Sequence, residues 1–414
     1  MLQKFINNTF YLLFLFTLVF GVVFYDTTKF LSFIDELCAV SLCFLYAYYI
    51  FHTPNWSINK LFLITLGVFF FYLFYSFYIH SNVKSAIISD FIIQIKPYLA
   101  FFTVYAFAPK FNDQMRKNIR LLAIVFSFYL FGIGIISLFD DTILEILLHH
   151  RSRLATASTI MALLYLFCSD YTTKDKIIFI ALLSICLLSS RSKAYGFFTI
   201  AVFFIFYLNK NFKLEFNWKN IGLGAILLTL TIIIAWDKIH LYFIQGGFGD
   251  GRETSDLYAR MALYYFSTEV YMDYFPFGSG FATYATFTSG QYYSPLYNQY
   301  GMDTLYGLTE YEPKFIADTY YPALAQFGII GTILFFLFWI HLTQKTLKLF
   351  NTNNLKYFII SLLIIIFFLI ECTSDATLTH NRGLFMMMLL ALSIREMKKT
   401  INLQQKSHEN HYSK

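Results

Sequence analysis

Charged residues are scarce in this sequence. Asp, Glu, Lys and Arg make up 14% of its 414 residues, whereas hydrophobic residues make up 57% and the mean hydropathy is +0.56. A soluble domain has roughly 25% charged residues, so this composition excludes an ordinary soluble protein. It indicates an integral membrane protein.

Cysteines, nucleotide-binding motifs and standard metal sites are also few or missing. No Walker loop, GxGxxG fingerprint or serine-hydrolase elbow occurs. His149 and His150, with Asp140 and Asp141 upstream, have a spacing that fits no standard metal site. The five cysteines lie in or beside apolar runs without metal-ligand spacing and are interpreted as small core residues. They are Cys38, Cys43, Cys168, Cys186 and Cys372.

The formal net charge of +6 does not predict nucleic-acid binding. The Lys and Arg residues lie in short segments between apolar runs rather than in one basic patch. Nucleic acid is therefore not expected as a partner, whereas membrane lipids are.

Long apolar runs dominate the chain. A helix that crosses a bilayer needs about 20 mostly apolar residues, and on this criterion the sequence predicts an all-α fold with about twelve transmembrane helices. No small-residue cleavage site follows the first run, so we interpret it as an uncleaved span. The predicted spans are residues 8–25, 31–51, 60–79, 86–107, 119–138, 154–169, 176–190, 194–208, 219–236, 320–341, 356–372 and 383–396.

The distribution of lysine predicts the orientation, because basic residues accumulate on the cytoplasmic side. If the N-terminus is cytoplasmic, every even-to-odd connection after the second span is basic, and both termini lie inside. The chain then divides into helices 1–9 in residues 1–236, a large extracytoplasmic loop in 237–319, helices 10–12 in 320–396, and a polar cytoplasmic tail in 397–414 that we expect to be disordered.

The segment 237–319 is too long to be a simple connector. A helix is predicted at 252–275, and Pro276, Gly278 and Gly280 should end it in a turn. The rest is rich in Tyr. Tyr faces can stack on sugar rings, but Tyr also prefers the membrane interface without any ligand, so both interpretations remain open.

Positive charges on the extracytoplasmic side are the most informative residues. A charge at the bilayer centre costs roughly 2.5–3.5 kcal/mol on insertion scales, so such residues tend to be functional. Arg binds two phosphate oxygens at once, and a cluster of Arg is what binding a lipid diphosphate requires. The alternative is that each extends to lipid phosphate or pairs with a loop carboxylate. The seven residues are Arg151, Arg153, Arg191, Lys193, Arg252, Arg260 and Arg382.

Four stretches, in order, resemble one family. They are HRSRLATASTIMA (150–162), SSRSKAYGFF (189–198), ARMALYYFSTEVYMDYFPFGSGFATY (259–284) and ADTYYPALAQFGIIGTILFF (317–336). Together they resemble the O-antigen ligase and O-antigen polymerase superfamily of bacterial membrane glycosyltransferases. The resemblance covers roughly residues 150–340 and implies a GT-C-like protein of the bacterial cytoplasmic (inner) membrane.

The resemblance implies that sugar chains are joined at the outer face of that membrane, without a metal or cofactor. The donor would be a glycan on undecaprenyl diphosphate, and the acceptor a hydroxyl of a new lipid-linked repeat unit. Arg191 and Arg260 would hold the diphosphate and Asp318 would accept the hydroxyl proton. Substrate binding would also involve Arg153, Lys193, Arg252 and Tyr320.

The sequence departs from the family at one position. Ligases of the family usually carry a His followed by Asn where this chain has Asp318 and Thr319. That departure favours a repeat-unit polymerase of O-antigen, capsule or exopolysaccharide, with a chain-length regulator as a possible partner. Asp318 could instead simply cap a helix that begins near Tyr320.

Two other functions remain open. The first is ligation, which transfers the finished glycan to lipid A core or to a protein. The second is transport, for instance by a polysaccharide flippase with a similar number of spans. Transporters usually show repeated halves and charged residues within the spans, whereas here the spans are poor in charge and the halves are unequal.

Overall fold

The computed structural model describes residues 2–25, 33–54, 59–208 and 255–412, together with Thr229. The regular structure in these residues is helical, which confirms the predicted all-α class. The helices are α1 (Leu2–Val23), α2 (Ile34–His52), α3 (Lys60–Tyr78), α4 (Lys84–Phe107), α5 (Asp113–Ile136), α6 (Thr142–Leu148), α7 (Arg151–Cys168), α8 (Thr173–Leu183), α9 (Ser192–Tyr207), α10 (Ser255–Asp273), α11 (Phe287–Gln291), α12 (Pro295–Gln299), α13 (Tyr320–Ala323), α14 (Gly328–Lys348), α15 (Leu355–Glu371) and α16 (Asn381–Tyr412).

Six helical segments of the described chain are long and apolar enough to cross a membrane. They are α1 to α5 and the continuous segment Tyr320–Lys348, in which a 3-10 turn joins α13 to α14. Eleven of the twelve predicted spans coincide with helices, and the other, 219–236, lies outside the described residues except for Thr229. The protein is therefore a helical protein with several membrane-spanning candidates.

Two of the remaining helices, α7 and α16, form the centre of the bundle. Residues 154–168 of α7 and 384–392 of α16 are buried along their whole length. α16 packs against α4, α7 and α15, while α7 packs against α5 and α8. Hydropathy alone underrates α7, because it contains small and hydroxyl residues whose role is to let neighbouring helices approach closely.

Two buried threonine hydroxyls of α7 are satisfied within the helix. Thr156 Oγ1 donates to the Ser152 carbonyl at 3.0 Å, and Thr159 Oγ1 donates to the Ala155 carbonyl at 2.9 Å. Burying these two hydroxyls costs little because each has a partner, whereas the buried Ser158 hydroxyl has no hydrogen-bond partner among the described residues. The helix can therefore cross the bundle interior with Arg153 in its first turn.

The described part of the large loop, residues 255–319, has a small apolar core of its own. Leu263, Val270, Tyr284, Tyr297 and Leu308 belong to it, and all five are fully buried. α10 lies along α13 and α14 at the edge of the main bundle. The predicted helix at 252–275 is confirmed over Ser255–Asp273.

Polar contacts attach this loop to the turn between α3 and α4. Ser81 Oγ donates to the Phe281 carbonyl at 2.9 Å, and Asn82 Nδ2 donates to the Ala282 carbonyl at 2.7 Å. The buried Asp90 of α4 accepts from the Ala282 amide at 2.8 Å. The loop is thereby held against the bundle over the segment that leads to Asp318.

Gly278 and Gly328 allow the backbone to approach closely at the foot of the loop. Both have positive φ, +82° and +61°. A Cβ built on Gly278 would lie 2.2 Å from the Gly328 amide nitrogen. Only glycine fits both the conformation and the space, which explains the turn predicted after Pro276.

The C-terminal tail differs from the expectation of disorder. α16 continues from the bundle interior to Tyr412, so the backbone of 397–412 is helical. The residues beyond the apolar run include Glu, Gln and Lys, which favour helix. They extend a helix that the buried half has already nucleated.

Candidate functional site

The predicted site residues come from distant parts of the sequence and lie at one end of the bundle. Arg153 lies in the first turn of α7, Lys193 in the first turn of α9, and Arg191 directly before α9. Arg260 is on α10, and Asp318 precedes α13. Arg252 lies outside the described residues.

Arg260 and Asp318 form an ion pair. Their side chains are 13% and 22% exposed, so the pair is largely removed from water. Burial raises the pKa of Asp318, and Asp375 adds to this, while Arg260 and Arg191 act in the opposite direction. Arg191 and Asp375 therefore act electrostatically on the Arg260–Asp318 pair.

The prediction that Asp318 might cap a helix is wrong. The N-cap residue of α13 is Thr319, and the cap has no side-chain hydrogen bond. Asp318 lies one residue earlier and its carboxylate contacts Arg260 instead. Its position is therefore explained by the ion pair and not by capping.

Arg191 contacts a histidine that the sequence argument left aside. Its Nη2 lies 2.5 Å from Nε2 of His150. The Ser152 amide also approaches Nδ1 of His150, at 3.2 Å. A neutral imidazole has only one acceptor nitrogen, so the two contacts cannot both be hydrogen bonds. Burial and Arg191 lower the pKa of His150 to about 4, which keeps the ring neutral at pH 7.

Lys193 binds two carboxylates at the end of α15. Its Nζ lies 2.6 Å from Glu371 Oε2 and 3.4 Å from Asp375 Oδ2. The side chains of Lys193 and Glu371 are 8% and 4% exposed. Burial opposes ionisation of Asp375, but Lys193 and a 2.7 Å hydrogen bond from Thr377 hold its pKa well below the usual range.

His380 is a second histidine that interacts with these charged residues. Burial, Arg153, Lys96 and Arg382 lower the pKa of His380 to about 4, while Asp375 opposes them. We refer to the whole group as the ionic cluster. It consists of Arg153, Arg191, Lys193, Arg260 and Arg382 with Asp318, Glu371, Asp375, His150 and His380.

A buried ion triad lies beside the ionic cluster. Lys96 of α4 contacts Asp35 and Glu36 at the start of α2, with 2.7 Å to Glu36 Oε1. Lys96 and Asp35 are each 4% exposed. Since Lys96 has its own carboxylates, its charge is largely balanced within the triad.

Tyr320, which the sequence predicts to bind substrate, is held by contacts within the bundle. Its hydroxyl donates to Gln94 Oε1 of α4 at 3.2 Å, and its amide donates to the Cys372 carbonyl at 3.3 Å. The ring is buried against Phe335. Tyr320 therefore anchors α13 to the bundle next to the ionic cluster.

Arg151 lies outside the ionic cluster. Its Nη2 donates to both carboxylate oxygens of Asp141, at 2.6 and 2.8 Å, and both side chains are partly exposed. This is the arrangement expected of a cation that pairs with a loop carboxylate. The pair is a useful reference for the Arg260–Asp318 pair, which has the same chemistry in a buried setting.

Sequence reasoning missed four members of the ionic cluster: His150, Glu371, Asp375 and His380. The other members carry positive charge on the predicted extracytoplasmic side or, like Asp318, lie in a motif of the family resemblance. Glu371 offered a signal, because it is an acidic residue at the end of the apolar run 356–372 and ionisable groups in such runs are costly. Asp375 and His380 lie in the short connection that follows and carry no pattern of their own.

Comparison with known proteins adds no family assignment. The chain matches no protein-family model, and no curated protein matches it at significant sequence similarity. The chemistry must therefore be argued from the ionic cluster. Among the described residues the ionic cluster combines five cations, which are groups that bind anions, with three carboxylates, which can accept a proton.

Proposed function

We propose that this protein is a polymerase of lipid-linked oligosaccharide repeat units. It transfers a growing glycan from undecaprenyl diphosphate to a new repeat unit at the outer face of the bacterial cytoplasmic membrane. The proposal includes about twelve spans, cytoplasmic termini and an extracytoplasmic loop over 237–319.

The observation that supports it best is the assembly of the ionic cluster itself. Arg153, Arg191, Lys193 and Arg260 come from three helices and one interhelical turn, yet all lie at one end of the bundle. Bringing charges together inside a membrane protein is costly, and ionisable residues there usually mark a functional site. A diphosphate is an anion that several of these cations could bind together.

The chemistry follows from the charges. In the reaction, the acceptor oxygen forms a bond to the anomeric carbon of the donor, and the bond from that carbon to the diphosphate oxygen breaks. The electron pair leaves with the lipid diphosphate, whose negative charge increases. Fixed cations beside that leaving group lower the barrier. Arg191 and Arg260 carry this role because a guanidinium grips two oxygens at once.

The proton of the acceptor hydroxyl goes to Asp318. In the structure Asp318 is bound to Arg260. A diphosphate that engages Arg260 takes over part of that contact and frees the carboxylate for the hydroxyl. Since burial raises the pKa of Asp318, the carboxylate is a stronger base than an exposed one.

Lys193 and Arg153 support the binding of the head group and do not take part in the bond exchange. Lys193 is held by Glu371 at 2.6 Å, so it orders the entry to α9 and thereby the position of Arg191 two residues earlier. Arg153 adds positive charge near His150 and His380. Lys193 therefore contributes through the position of Arg191, and Arg153 contributes through its charge.

Deletion of the gene tests the proposal. A polymerase mutant should accumulate single repeat units on the lipid carrier or on the final acceptor and should make no long polymer. Complementation with the wild-type chain should restore long polymer. Long polymer that stays on its carrier would identify a ligase, and repeat units trapped at the cytoplasmic face would identify a transporter.

A further inference from the structure

We propose that the protein binds an anionic phospholipid at the end of α14 that is remote from the ionic cluster. The phosphate of the head group is held by Lys345, Lys348 and Lys398, and an acyl chain lies in the apolar groove between α3 and α14. This site is independent of the proposed polymerase reaction.

The head-group site is a basic pocket of about 340 Å³. We call it the lysine pocket. Lys345 and Lys348 come from α14, Lys398 comes from α16, and no carboxylate of the described chain is among the residues that line it. Lys345 Nζ lies over the Tyr105 ring at 4.0 Å from its centroid. Such a contact restrains the ammonium group, so one of the three cations is already in position for a phosphate.

The acyl-chain site is a groove of about 420 Å³. α3 forms one side with Val68 and Phe69, α14 forms the other with Leu337 and Phe338, and Tyr98 of α4 is also in the lining. The groove extends along α3 from Leu61 to Tyr72, which is roughly 16 Å of helix. A slot of this length and composition fits a hydrocarbon chain.

The groove and the lysine pocket are continuous. His341 and Gln344 line both of them. One molecule with a charged head and an apolar chain can therefore occupy the two sites at once. Basic pockets between membrane helices are the usual binding sites of anionic lipid head groups.

The position of the lysine pocket favours a phospholipid over the lipid diphosphate substrate. α14 has 21 residues and ends at Lys348, so the pocket lies roughly 30 Å along the helix from the end near Asp318. A head group in the lysine pocket is therefore at the opposite face of the membrane from the ionic cluster. Phosphatidylglycerol in that leaflet has the required charge and chain.

The first arm of the test changes the charge. The purified protein is incubated with equal amounts of phosphatidylglycerol and phosphatidylcholine, and the retained lipids are counted by native mass spectrometry. The wild type should prefer phosphatidylglycerol, and the triple variant K345Q/K348Q/K398Q should lower that preference at least about tenfold, since each Lys near a membrane surface adds roughly 1 kcal/mol.

The matched control removes three lysines from the same face of the bundle outside the pocket. Lys4, Lys117 and Lys174 are exposed and line neither the groove nor the pocket. K4Q/K117Q/K174Q should keep the wild-type preference. A wild type without preference, or an equal loss in both triple variants, would contradict the proposal and leave only a general attraction of basic residues to lipid.

The second arm fills the groove. Ile64 and Leu63 are neighbours on α3 and are 59% and 52% exposed, but only Ile64 lines the groove. Ile64→Trp should lower retention of phosphatidylglycerol about fivefold, whereas Leu63→Trp should not. Equal retention in both Trp variants would overturn the acyl-chain site and show that the lysine pocket binds a phosphate group alone, from any source. Polymer formation is not the readout, so the test stands apart from the proposed enzymatic activity.

Discussion

The two basic regions of the protein differ in how their cations are held. In the ionic cluster Arg191, Lys193 and Arg260 each contact a carboxylate or a His, as Lys193 contacts Glu371 at 2.6 Å. The side chains of Lys193 and Arg260 are only 8% and 13% exposed. In the lysine pocket Lys348 and Lys398 are exposed, and Lys345 lies on an aromatic ring. The comparison shows that similar charges are held in two ways: Lys193 and Arg260 are largely buried in ion pairs, whereas Lys348 and Lys398 are exposed.

The largest expected effect is on stability at the ionic cluster. Lys193→Met leaves Glu371 and Asp375 without their cation in a buried setting. Removal of one partner of a buried ion pair costs about 3–5 kcal/mol. Thermal unfolding in detergent, followed by the reaction of the buried cysteines with a thiol dye, should show a clearly lower midpoint.

The matching substitution in the lysine pocket is Lys345→Met. Lys345 is partly exposed and lies over Tyr105, so its removal should change stability by less than about 0.5 kcal/mol. If both variants unfolded at the wild-type temperature, the distinction between buried and exposed cations would fail.

The next effect is on activity. Arg191→Lys keeps the charge but loses the planar fork that holds two phosphate oxygens, and we expect polymer formation to fall about 100-fold. Arg151→Lys, in the exposed pair with Asp141 at the same end of the bundle, is the control and should be tolerated. Quantification of long polymer on gels checks both variants. Equal amounts of polymer from the two variants would show that the planar guanidinium of Arg191 is not required.

A smaller effect is expected from pH. The pKa of His150 is lowered to about 4 in the folded protein, from about 6.5 unfolded. Its neutral form therefore contributes stability that is fully present above pH 6.5 and is lost as the pH falls towards 4. The loss should be about 2 kcal/mol for this partly exposed group.

Unfolding midpoints measured between pH 7.5 and 4.5 test this effect. In His150→Gln the unfolding midpoint should depend less steeply on pH than in the wild type. Some pH dependence should remain because the pKa of His380 is also lowered to about 4. The same steep profile in His150→Gln would mean that His150 does not titrate in this range.

The smallest effect concerns the lysine pocket and the reaction. K345Q/K348Q/K398Q removes charge roughly 30 Å from Asp318, beyond the Debye length of about 8 Å at physiological salt. Polymer yield per molecule of inserted protein should therefore change less than about twofold. A loss as large as that of Arg191→Lys would mean that the two regions are coupled.

The fold could be predicted from the sequence to the extent that hydrophobicity determines it. Apolar runs located α1 to α5 and the segment that begins at Tyr320. The predicted bounds agree closely for α3 and α4 and differ by up to seven residues for the others. α7 was also found, although its burial among other helices was not visible in its composition. The prediction of a disordered tail was wrong because a polar sequence is compatible both with disorder and with the continuation of a helix beyond the bundle.

The site was only half predictable, for a physical reason. An unusual charge is visible in a sequence, but its partner is not, because the contact depends on packing. Arg191, Arg260 and Asp318 were found through their charge or their place in a motif, and the structure brings them together. His150 and Asp375 became visible only through their contacts with Arg191 and Lys193.

The most direct test of the account compares two Asp–Arg pairs. Asp318→Asn and Asp141→Asn each remove one carboxylate charge beside an Arg, in the buried pair and in the exposed pair. The variants are purified, inserted into vesicles in equal amounts and given a lipid-linked repeat unit. If Asp318 accepts the hydroxyl proton, Asp318→Asn should polymerise at least about 100-fold more slowly while Asp141→Asn keeps the wild-type rate. Polymerisation by Asp318→Asn at the wild-type rate would contradict the account.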